Sequence, residues 1–321
     1  MILGLRAAIA AVMLALLLMG YISYYWPITE PFYPLNNGWN GCSQAYKMAA
    51  HPSLIYSYSA PLPTDASLIL IIGPRSSFQT GETVKLRTFL EAGGTVLLAD
   101  DLGTGNALLE GLNVSARFSE KPIADLYFYS RSPSFPLISH FTPGWLSTNL
   151  TTIIMDHPSY IEVLNSQSVG VVAFSSSFSF VDSFNNGTLP PTENTQPYPV
   201  IATTHVGRGL LVMVANAYVF ANEIMNLFDN RALFRNLLSA ANGTVTFDLA
   251  HLTKAPLTDQ RIMFRSGFDS SVVFMHTLVV QLAVTAMLVA VFSTIFLRRV
   301  RAEKHHADSS VAESSLHTNS M

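Results

Sequence analysis

The sequence predicts an α/β fold, a mostly parallel sheet sandwiched by helices, and three consecutive segments support this prediction. Residues 67–72 form a continuous apolar run, which is the pattern of a strand buried on both faces. Thr80 can cap the helix that follows, in which Leu86 and Phe89 belong to one apolar stripe. Residues 95–99 form a second apolar run, and two buried strands joined through a helix require a parallel crossover.

The turn after the second predicted strand is the best candidate for a binding site. Open α/β sheets bind ligands beyond the carboxyl ends of their strands, and polar and glycine residues follow residue 99 at once. Gly105 is expected where the backbone is left-handed or closely approached, and an aspartate that merely caps the turn is the competing interpretation. The candidate ligand-binding residues are Asp100, Asp101, Thr104, Gly105, Asn106 and Asn216.

Two apolar segments predict membrane spans. The chain is 49% hydrophobic and 12% charged, which is more apolar than an ordinary soluble protein. Residues 7–26 carry no charge and are long enough to cross a hydrocarbon core of about 30 Å; a signal peptide is the alternative. Residues 271–297 form a second apolar segment, and a basic cluster at residues 298–304 follows it. The positive-inside rule then predicts a cell-membrane protein with two spans, both termini cytoplasmic and the main domain outside.

This topology divides the chain into five parts. They are an N-terminal transmembrane anchor at residues 1–26, an extracytoplasmic α/β domain at 27–245, a juxtamembrane connector at 246–270, a transmembrane helix at 271–297, and a basic, then disordered, cytoplasmic tail at 298–321.

Two further patterns lie in the second half of the predicted domain. The apolar, β-branched runs 199–204 and 209–216 predict a hairpin. Residues 219–226 and 229–241 are predicted to be helical.

The net charge and the glycosylation triplets of the predicted outer segment indicate which partners to expect. Residues 27–270 hold 13 Lys and Arg against 18 Asp and Glu, a net charge of −5, so nucleic acid is not expected as a partner. The same segment carries Asn-x-Ser/Thr triplets, and these give the glycosylation candidates Asn113, Asn149, Asn186 and Asn242.

Cysteine and histidine usage argues against a metal centre. Cys42 is the only cysteine, which excludes an intrachain disulfide and a zinc site built from several cysteines. We interpret Cys42 as a buried or incidental thiol, and neither a metal nor a cofactor is expected.

Two stretches carry a family resemblance. NGWNGCSQAY, which ends at Tyr46, and EAGGTVLLADDLGTGN, which ends at Asn106, resemble the uncharacterised archaeal and bacterial membrane proteins grouped as domain of unknown function 4350. The resemblance covers residues 36–241 and implies a flavodoxin-like or class I glutamine amidotransferase-like sheet. An amidotransferase needs a cysteine nucleophile on the strand-end turn, and ADDLGTGN has none. No catalytic residue is therefore predicted.

The resulting functional hypothesis is a membrane-anchored, extracytoplasmic, non-catalytic binding or assembly component of a membrane complex. Its expected partners are the membrane, a membrane protein, and a small-molecule or glycan ligand. The absent nucleophile disfavours an enzyme without excluding one; the alternative is a hydrolase or transferase with its site at residues 100–106. Trp39 with Tyr46, and the aromatic run Tyr127, Phe128 and Tyr129, could stack on a sugar, and core packing explains them at least as well.

Overall fold

The computed structural model describes Leu14 and residues 27–49, 52–63, 66–191 and 193–253. All of these except Leu14 belong to one compact unit, Trp26–Asp259.

The described chain is rich in short strands. In chain order they are β1 (Ser53–Ile55), β2 (Ala66–Ile72), β3 (Thr95–Ala99), β4 (Ala116–Phe118), β5 (Ile123–Asp125), β6 (Leu137–Ile138), β7 (His140–Phe141), β8 (Ile153–Ile154), β9 (Ile161–Val163), β10 (Val169–Phe174), β11 (Ser179–Val181), β12 (Pro199–Val206), β13 (Gly209–Val214) and β14 (Thr244–Asp248). The helices are α1 (Ser43–Met48), α2 (Thr80–Glu91), α3 (Asn106–Gly111) and α4 (Asn230–Leu238), with a 3-10 turn at Tyr218–Phe220.

The main sheet has eight strands in the order β1-β14-β2-β3-β13-β12-β10-β7. Its first five strands are mutually parallel, and the pairs β13/β12, β12/β10 and β10/β7 are antiparallel. The other strands form three two-stranded sheets, β11/β5, β4/β9 and β6/β8.

The predicted fold class is wrong. The strand, helix, strand unit β2-α2-β3 is present, with Ile69 opposite Val96 in a parallel pair. However, the sheet as a whole is mixed, and most of the helices are too short to cover it, so this is neither a helix-sandwiched parallel sheet nor a flavodoxin-like fold. The reason lies between residues 116 and 181, where segments of two to six residues pair in antiparallel ladders instead of forming crossover helices.

The predicted two-span topology is also corrected. Across the parts of the chain that the structure describes, none of the helices has the length and apolar character needed to cross a membrane. The segments on which the prediction rested, residues 7–26 and 271–297, lie outside the described residues apart from Leu14.

The predicted hairpin at 199–216 is confirmed by β12 and β13, whose ladder runs from Ile201 opposite Val214 to Val206 opposite Gly209. The predicted helix at 219–226 is wrong, because only the short 3-10 turn forms there. Side chains compete with helical hydrogen bonding in this segment: Oδ1 of Asn216 accepts the Val219 N–H.

Both faces of the central strands are buried. Ile69 and Ile71 of β2 pack in one cluster with Leu86 and Leu90 of α2. Residues of β2 that point to the opposite face, such as Leu70, are equally inaccessible to water. Each fully buried leucine or isoleucine side chain contributes about 2 kcal/mol, so this three-element unit is the stable centre of the sheet.

A buried histidine connects β14 to the start of α2. His251 is 3% exposed, and its ring stacks on Phe78 at 3.8 Å between centroids. Its Nδ1 lies 2.6 Å from Oδ2 of Asp248 and its Nε2 lies 3.2 Å from Oε2 of Glu82. Its carbonyl accepts the Arg75 N–H at 2.7 Å, so the same residue also fixes the loop that follows β2. Both ring nitrogens can donate to the two carboxylates only when the imidazole is protonated.

We predict that the His251 contacts make stability depend on pH. Burial lowers the pKa of His251, but the hydrogen bonds and charges of Asp248 and Glu82 outweigh it, and the net shift is upward from 6.5. A raised folded-state pKa gives stability that is fully present below pH 6.5 and is lost as the pH rises through the folded-state pKa. Urea unfolding at about pH 6 and about pH 9 should show this loss.

The variant His251→Gln should lose this pH dependence and about 3 kcal/mol of stability at about pH 6, because the buried Asp248 carboxyl group loses its hydrogen-bond partner. The exposed His140 provides the control, and His140→Gln should behave like the parent. An unchanged pH profile in His251→Gln would contradict the assignment.

Candidate functional site

The parallel strands place several loops at one edge of the sheet. Because β2, β3, β13 and β14 run in the same direction, the segments after Ile72, Ala99, Val214 and Asp248 leave from the same side. This is the edge at which the sequence predicts a site.

Asp100 is used by the turn itself. Its carboxylate is fully buried, with Oδ1 accepting the Leu102 N–H at 2.9 Å and Oδ2 accepting the Gly105 N–H at 2.6 Å. Burial raises the pKa of Asp100, and the two amides oppose that shift. Asp100 is therefore a capping residue, which was the competing interpretation of this motif.

Asn106 and Asn216 also spend their side chains within the fold. Asn106 pairs with both backbone groups of Phe118, donating to its carbonyl at 2.9 Å and accepting its N–H at 2.8 Å. Asn216 is fully buried and holds the backbone of Asp156, to whose carbonyl its Nδ2 donates at 2.6 Å. Neither amide is left free for a ligand.

The backbone of the turn differs from one of the two predicted conformations. Gly105 has φ of −70°, which any residue adopts, and the left-handed position is Gly103 at +79°. The close approach is present, since a Cβ on Gly105 would lie 2.9 Å from a methyl group of Leu98. Thr104 is half-buried in this turn.

Asp101 differs from its neighbour in having unused hydrogen-bonding capacity. Its Oδ1 is buried and has no hydrogen-bond partner within the described residues, which is rare for a carboxylate oxygen. Burial is the main cause that raises the pKa of Asp101 from 3.8 to about 6; the charge of Arg75 opposes it, and Asp100 and Asp156 add to it. A buried oxygen without a donor is costly unless something outside the chain supplies one.

Arg75 is the cation whose positive charge lowers the pKa of Asp101. It lies three residues after β2, and its guanidinium lies over the ring of Phe32 at 5.5 Å from the centroid. Within the described part of the chain the guanidinium makes no ion pair or side-chain hydrogen bond. Gly73 makes room for the ring: its φ is +64°, and a Cβ there would lie 2.2 Å from Phe32.

An exposed indole lies beside these polar groups. Trp39 is 59% exposed, and its ring is nearly parallel to that of Tyr218, with an interplanar angle of 8° and 6.4 Å between centroids. Tyr218 in turn contacts Phe32 edge-on at 4.9 Å. Burial is the main cause that raises the pKa of Tyr218, and the negative charge of Asp101 raises it further. The Tyr218 ring therefore connects the Trp39 indole to Asp101 and Arg75.

Trp39 is held from two sides. Within its own turn, Oδ1 of Asn36 accepts the Gly38 N–H at 2.7 Å. From a segment 184 residues further along the chain, Nδ2 of Asn222 donates to the Gly38 carbonyl at 2.7 Å, and the Glu223 N–H donates to the Trp39 carbonyl at 2.9 Å. The indole is therefore exposed but its backbone is fixed.

We define the strand-end cluster as Trp39, Arg75, Asp101 and Tyr218. Asp101 is a site residue proposed from the sequence, a prediction that stays untested, whereas neither Arg75 nor Tyr218 was proposed. The signal that could have found them is position, because Arg75 lies three residues after β2 and Tyr218 four residues after β13. The charge of Asp156 also raises the pKa of Asp101, but the Asp156 carboxylate is already hydrogen-bonded to His157. That hydrogen bond raises the pKa of His157.

Other aromatic candidates separate into exposed and packed groups. Tyr127 is 69% exposed and touches Phe178 edge-on at 4.9 Å, while Phe128 lies 6.0 Å from Phe178. Tyr46 instead packs on Phe247 at 5.5 Å, as expected of a core residue.

Two cavities lie in the described part of the chain, and neither includes a residue of the strand-end cluster. One of about 840 Å³ lies between α2 and residues 59–63, and the other, of about 660 Å³, lies beside α3 and β4. Within the described residues no group of His, Cys, Asp and Glu could hold a metal ion.

The remaining candidates are the single cysteine and the four glycosylation sites, which differ in their exposure to solvent. Cys42 is fully buried, and burial raises the pKa of its thiol well above the ordinary value. The four candidate glycosylation sites are all exposed, so glycosylation at Asn113, Asn149, Asn186 and Asn242 stays a prediction.

A sequence model described as domain of unknown function (DUF4350) matches residues 34–238. No curated protein matches the chain.

Several solved structures are similar to part of the chain. The N-terminal domain of mmIFT52 is 15% identical, with 60% of this chain and 98% of that domain covered and a TM-score of 0.45. The β-galactosidase from Bacillus circulans sp. alkalophilus is 14% identical, with 55% and 23% covered and a TM-score of 0.36. The exo-β-1,4-mannosidase Op5Man5 from Opitutaceae bacterium strain TAV5 is 16% identical, with 61% and 27% covered and a TM-score of 0.33.

The two adjacent aspartates should respond oppositely to substitution. Because the folded-state pKa of Asp101 is raised, its contribution to stability is lost as the pH rises from 3.8 to about 6. At about pH 7 we therefore expect Asp101→Ala to be neutral or to raise stability by about 1 kcal/mol.

Asp100→Ala should instead lower stability by about 2 kcal/mol, because it leaves two backbone amides without an acceptor. Chemical denaturation of the three proteins at one pH measures both effects. Equal losses in the two variants would show that Asp101 is bonded within the fold.

Proposed function

The chain belongs to the family described as domain of unknown function DUF4350, and we propose that it is a non-catalytic binding or assembly component that holds its ligand at the strand-end cluster. The observation that supports this proposal is how the polar side chains at the sheet edge are used. Asp100, Asn106 and Asn216 are consumed by hydrogen bonds within the fold. Within the described residues, a buried oxygen of Asp101 and the Arg75 guanidinium have no hydrogen-bond partner, and the Trp39 indole is exposed.

Such a set suits binding better than bond cleavage. Acyl and glycosyl transfer need a nucleophile or a second carboxylate in reach of the same atom, positioned by a third group. Among the described residues at this edge, Asp100 is committed to the turn and Asp156 is hydrogen-bonded to His157.

The cluster is also rigid before anything binds. The backbone of Trp39 is fixed by hydrogen bonds from the segment at residues 222–223, and the Tyr218 ring lies nearly parallel to the indole. Preorganised side chains lose little conformational freedom on binding, which preserves more of the contact energy as affinity.

One observation favours the alternative, a hydrolase or transferase. A carboxyl group with a pKa of about 6 exchanges its proton near neutral pH, as a general acid or base must. If Asp101 had this role, Asp101→Asn would abolish turnover of a ligand while leaving its binding largely intact. If the chain only binds, the ligand is recovered unchanged from the parent protein.

The test of binding is a screen that does not presuppose the ligand. Thermal-shift measurements on the full chain with neutral glycans, peptides, amino acids and nucleotides should give at least one class that stabilises it. Trp39→Ala and Arg75→Gln should each weaken that class by about 30-fold, which corresponds to about 2 kcal/mol.

Trp145 supplies a matched control, because it is 42% exposed and lies on a different segment. Trp145→Ala should bind like the parent. The proposal fails if no class binds, if Trp39→Ala binds unchanged, or if the bound compound is chemically converted.

A further inference from the structure

We propose that the cavity of about 840 Å³ beside α2, which we call the α2 cleft, binds an uncharged aliphatic chain, such as that of a single-chain lipid. The cleft lies at the edge opposite the strand-end cluster, because its lining includes Ser67 at the start of β2 and Gly94 just before β3. Small-molecule sites commonly have volumes of about 300 to 1,000 Å³. The cleft is therefore large enough for a ligand of its own, separate from the one proposed for the strand-end cluster.

Helix α2 presents an apolar stripe to this cleft in addition to its buried face. Val84, Thr88 and Ala92 lie four residues apart, so they share one side of the helix, and all three line the cleft. Val84 is 55% exposed and is β-branched, and such residues form helices less readily than the long polar residues common on solvated faces. An aliphatic ligand on this stripe would cover Val84 and be stabilised by the hydrophobic effect.

The other walls of the cleft are fixed before any ligand binds. Residues 61–63, with the sequence Pro-Leu-Pro, lie across the cleft from α2, and the prolines restrict the backbone of this wall. The Lys85 ammonium ties the wall to α2 by donating to the carbonyls of residues 58–60. Phe89 also lines the cleft, and Gly94 makes room for its ring, since a Cβ on Gly94 would lie 2.3 Å from that ring. Fixed walls lose little conformational freedom on binding.

The polar groups of the lining are largely committed within the fold. Lys85 is the only charged residue among the described residues that line the cleft, and its three N–H donors meet three backbone carbonyls. Oγ1 of Thr88 donates to the Val84 carbonyl at 3.0 Å, and Oγ of Ser67 accepts the Gly243 N–H at 2.9 Å. A charged ligand would lose water here without gaining a hydrogen-bond partner, so the lining selects an uncharged apolar one.

The shape of the cleft favours a chain over a compact ligand. From Val84 to Ala92 the helix rises about 12 Å, and the ligand can lie along that length. An extended peptide is the main competitor, since it is also long and narrow. Its backbone N–H and C=O groups would lose water beside lining groups that already have partners, whereas an aliphatic chain has no such groups. Asn242 also lines the cleft and is exposed, so the polar end of a lipid can lie beside it in water.

The test is photolabelling of the full chain with an octanol that carries a diazirine group, with the labelled residues located by mass spectrometry. We expect label within residues 84–92. Hexanol, octanol and decanol should each reduce this labelling, with an affinity that rises up to about fourfold per added methylene group. Val84→Glu should reduce labelling of the cleft at least tenfold, because it places a carboxylate in the apolar wall. Since Val84 is exposed, the melting temperature of this variant should stay close to that of the parent.

Leu164 supplies the matched control, because it is 63% exposed and does not line the α2 cleft. Leu164→Glu should be labelled like the parent, and so should Trp39→Ala, which separates this site from the strand-end cluster. Labelling of residues 84–92 that persists unchanged in Val84→Glu would overturn the inference, as would label confined to residues outside the cleft or no label at all. Stronger protection by decanoate than by decanol would overturn the uncharged ligand. Protection by an apolar hexapeptide and not by the alcohols would replace the aliphatic chain with a peptide.

Discussion

The arrangement depends on one constraint, which is that the parallel strands of the sheet all end at the same edge. Each of these strands is followed by a chain reversal whose amides and carbonyls are out of reach of the ladder and still need partners. The chain meets that need with side chains: Asp100 for the turn after β3, Asn216 for the neighbouring loop at Asp156, and Asn222 for the turn that carries Trp39. Polar residues at this edge are thus first of all part of the fold.

The candidate site is what is left after that requirement is met. Asp101 follows Asp100 directly, yet one carboxylate receives two amide hydrogen bonds and the other has a buried oxygen that receives none. A folded chain gains nothing by keeping an unpaired buried oxygen beside an uncommitted guanidinium, and functional sites are where such local inconsistencies are expected. The strain of the site is electrostatic and is offset by the buried leucines and isoleucines beneath it.

Sequence patterns correctly predicted the helix and strands whose apolar periodicity lies within a single short segment. The runs that became β2 and β3 are apolar apart from Ser67 and Thr95 because both faces are covered, and α2 shows its buried residues at helical spacing. The antiparallel half was missed because strands such as β6 and β8 have two residues each, too few to show a period. Its connections also depend on distant side chains, as where Asp125 accepts hydrogen bonds from Ser176 and Ser179. For the site, the turn was predictable, whereas the difference between its two aspartates was not, because neighbouring amides and not residue type decide it.

The exposed Trp39 lies on a turn that is restricted more closely than packing alone requires. An indole that is 59% exposed gains little from burial, so packing alone does not account for a motif that restricts its turn so closely. A Cβ on Gly41 would lie 2.0 Å from the Asn36 carbonyl oxygen, and Asn222, more than 180 residues along the chain, bonds to the same turn. The position of Trp39 is therefore fixed only when segments far apart in sequence have come together, as is also true of Arg75, whose backbone is bonded to His251. Three loops from different parts of the chain are each held by their own hydrogen bonds, and the groups left uncommitted are the ones they present on a common edge. Such rigidity around unsatisfied groups reduces the cost of binding and has no comparable benefit for stability, which is the strongest physical argument that this edge of the sheet is used.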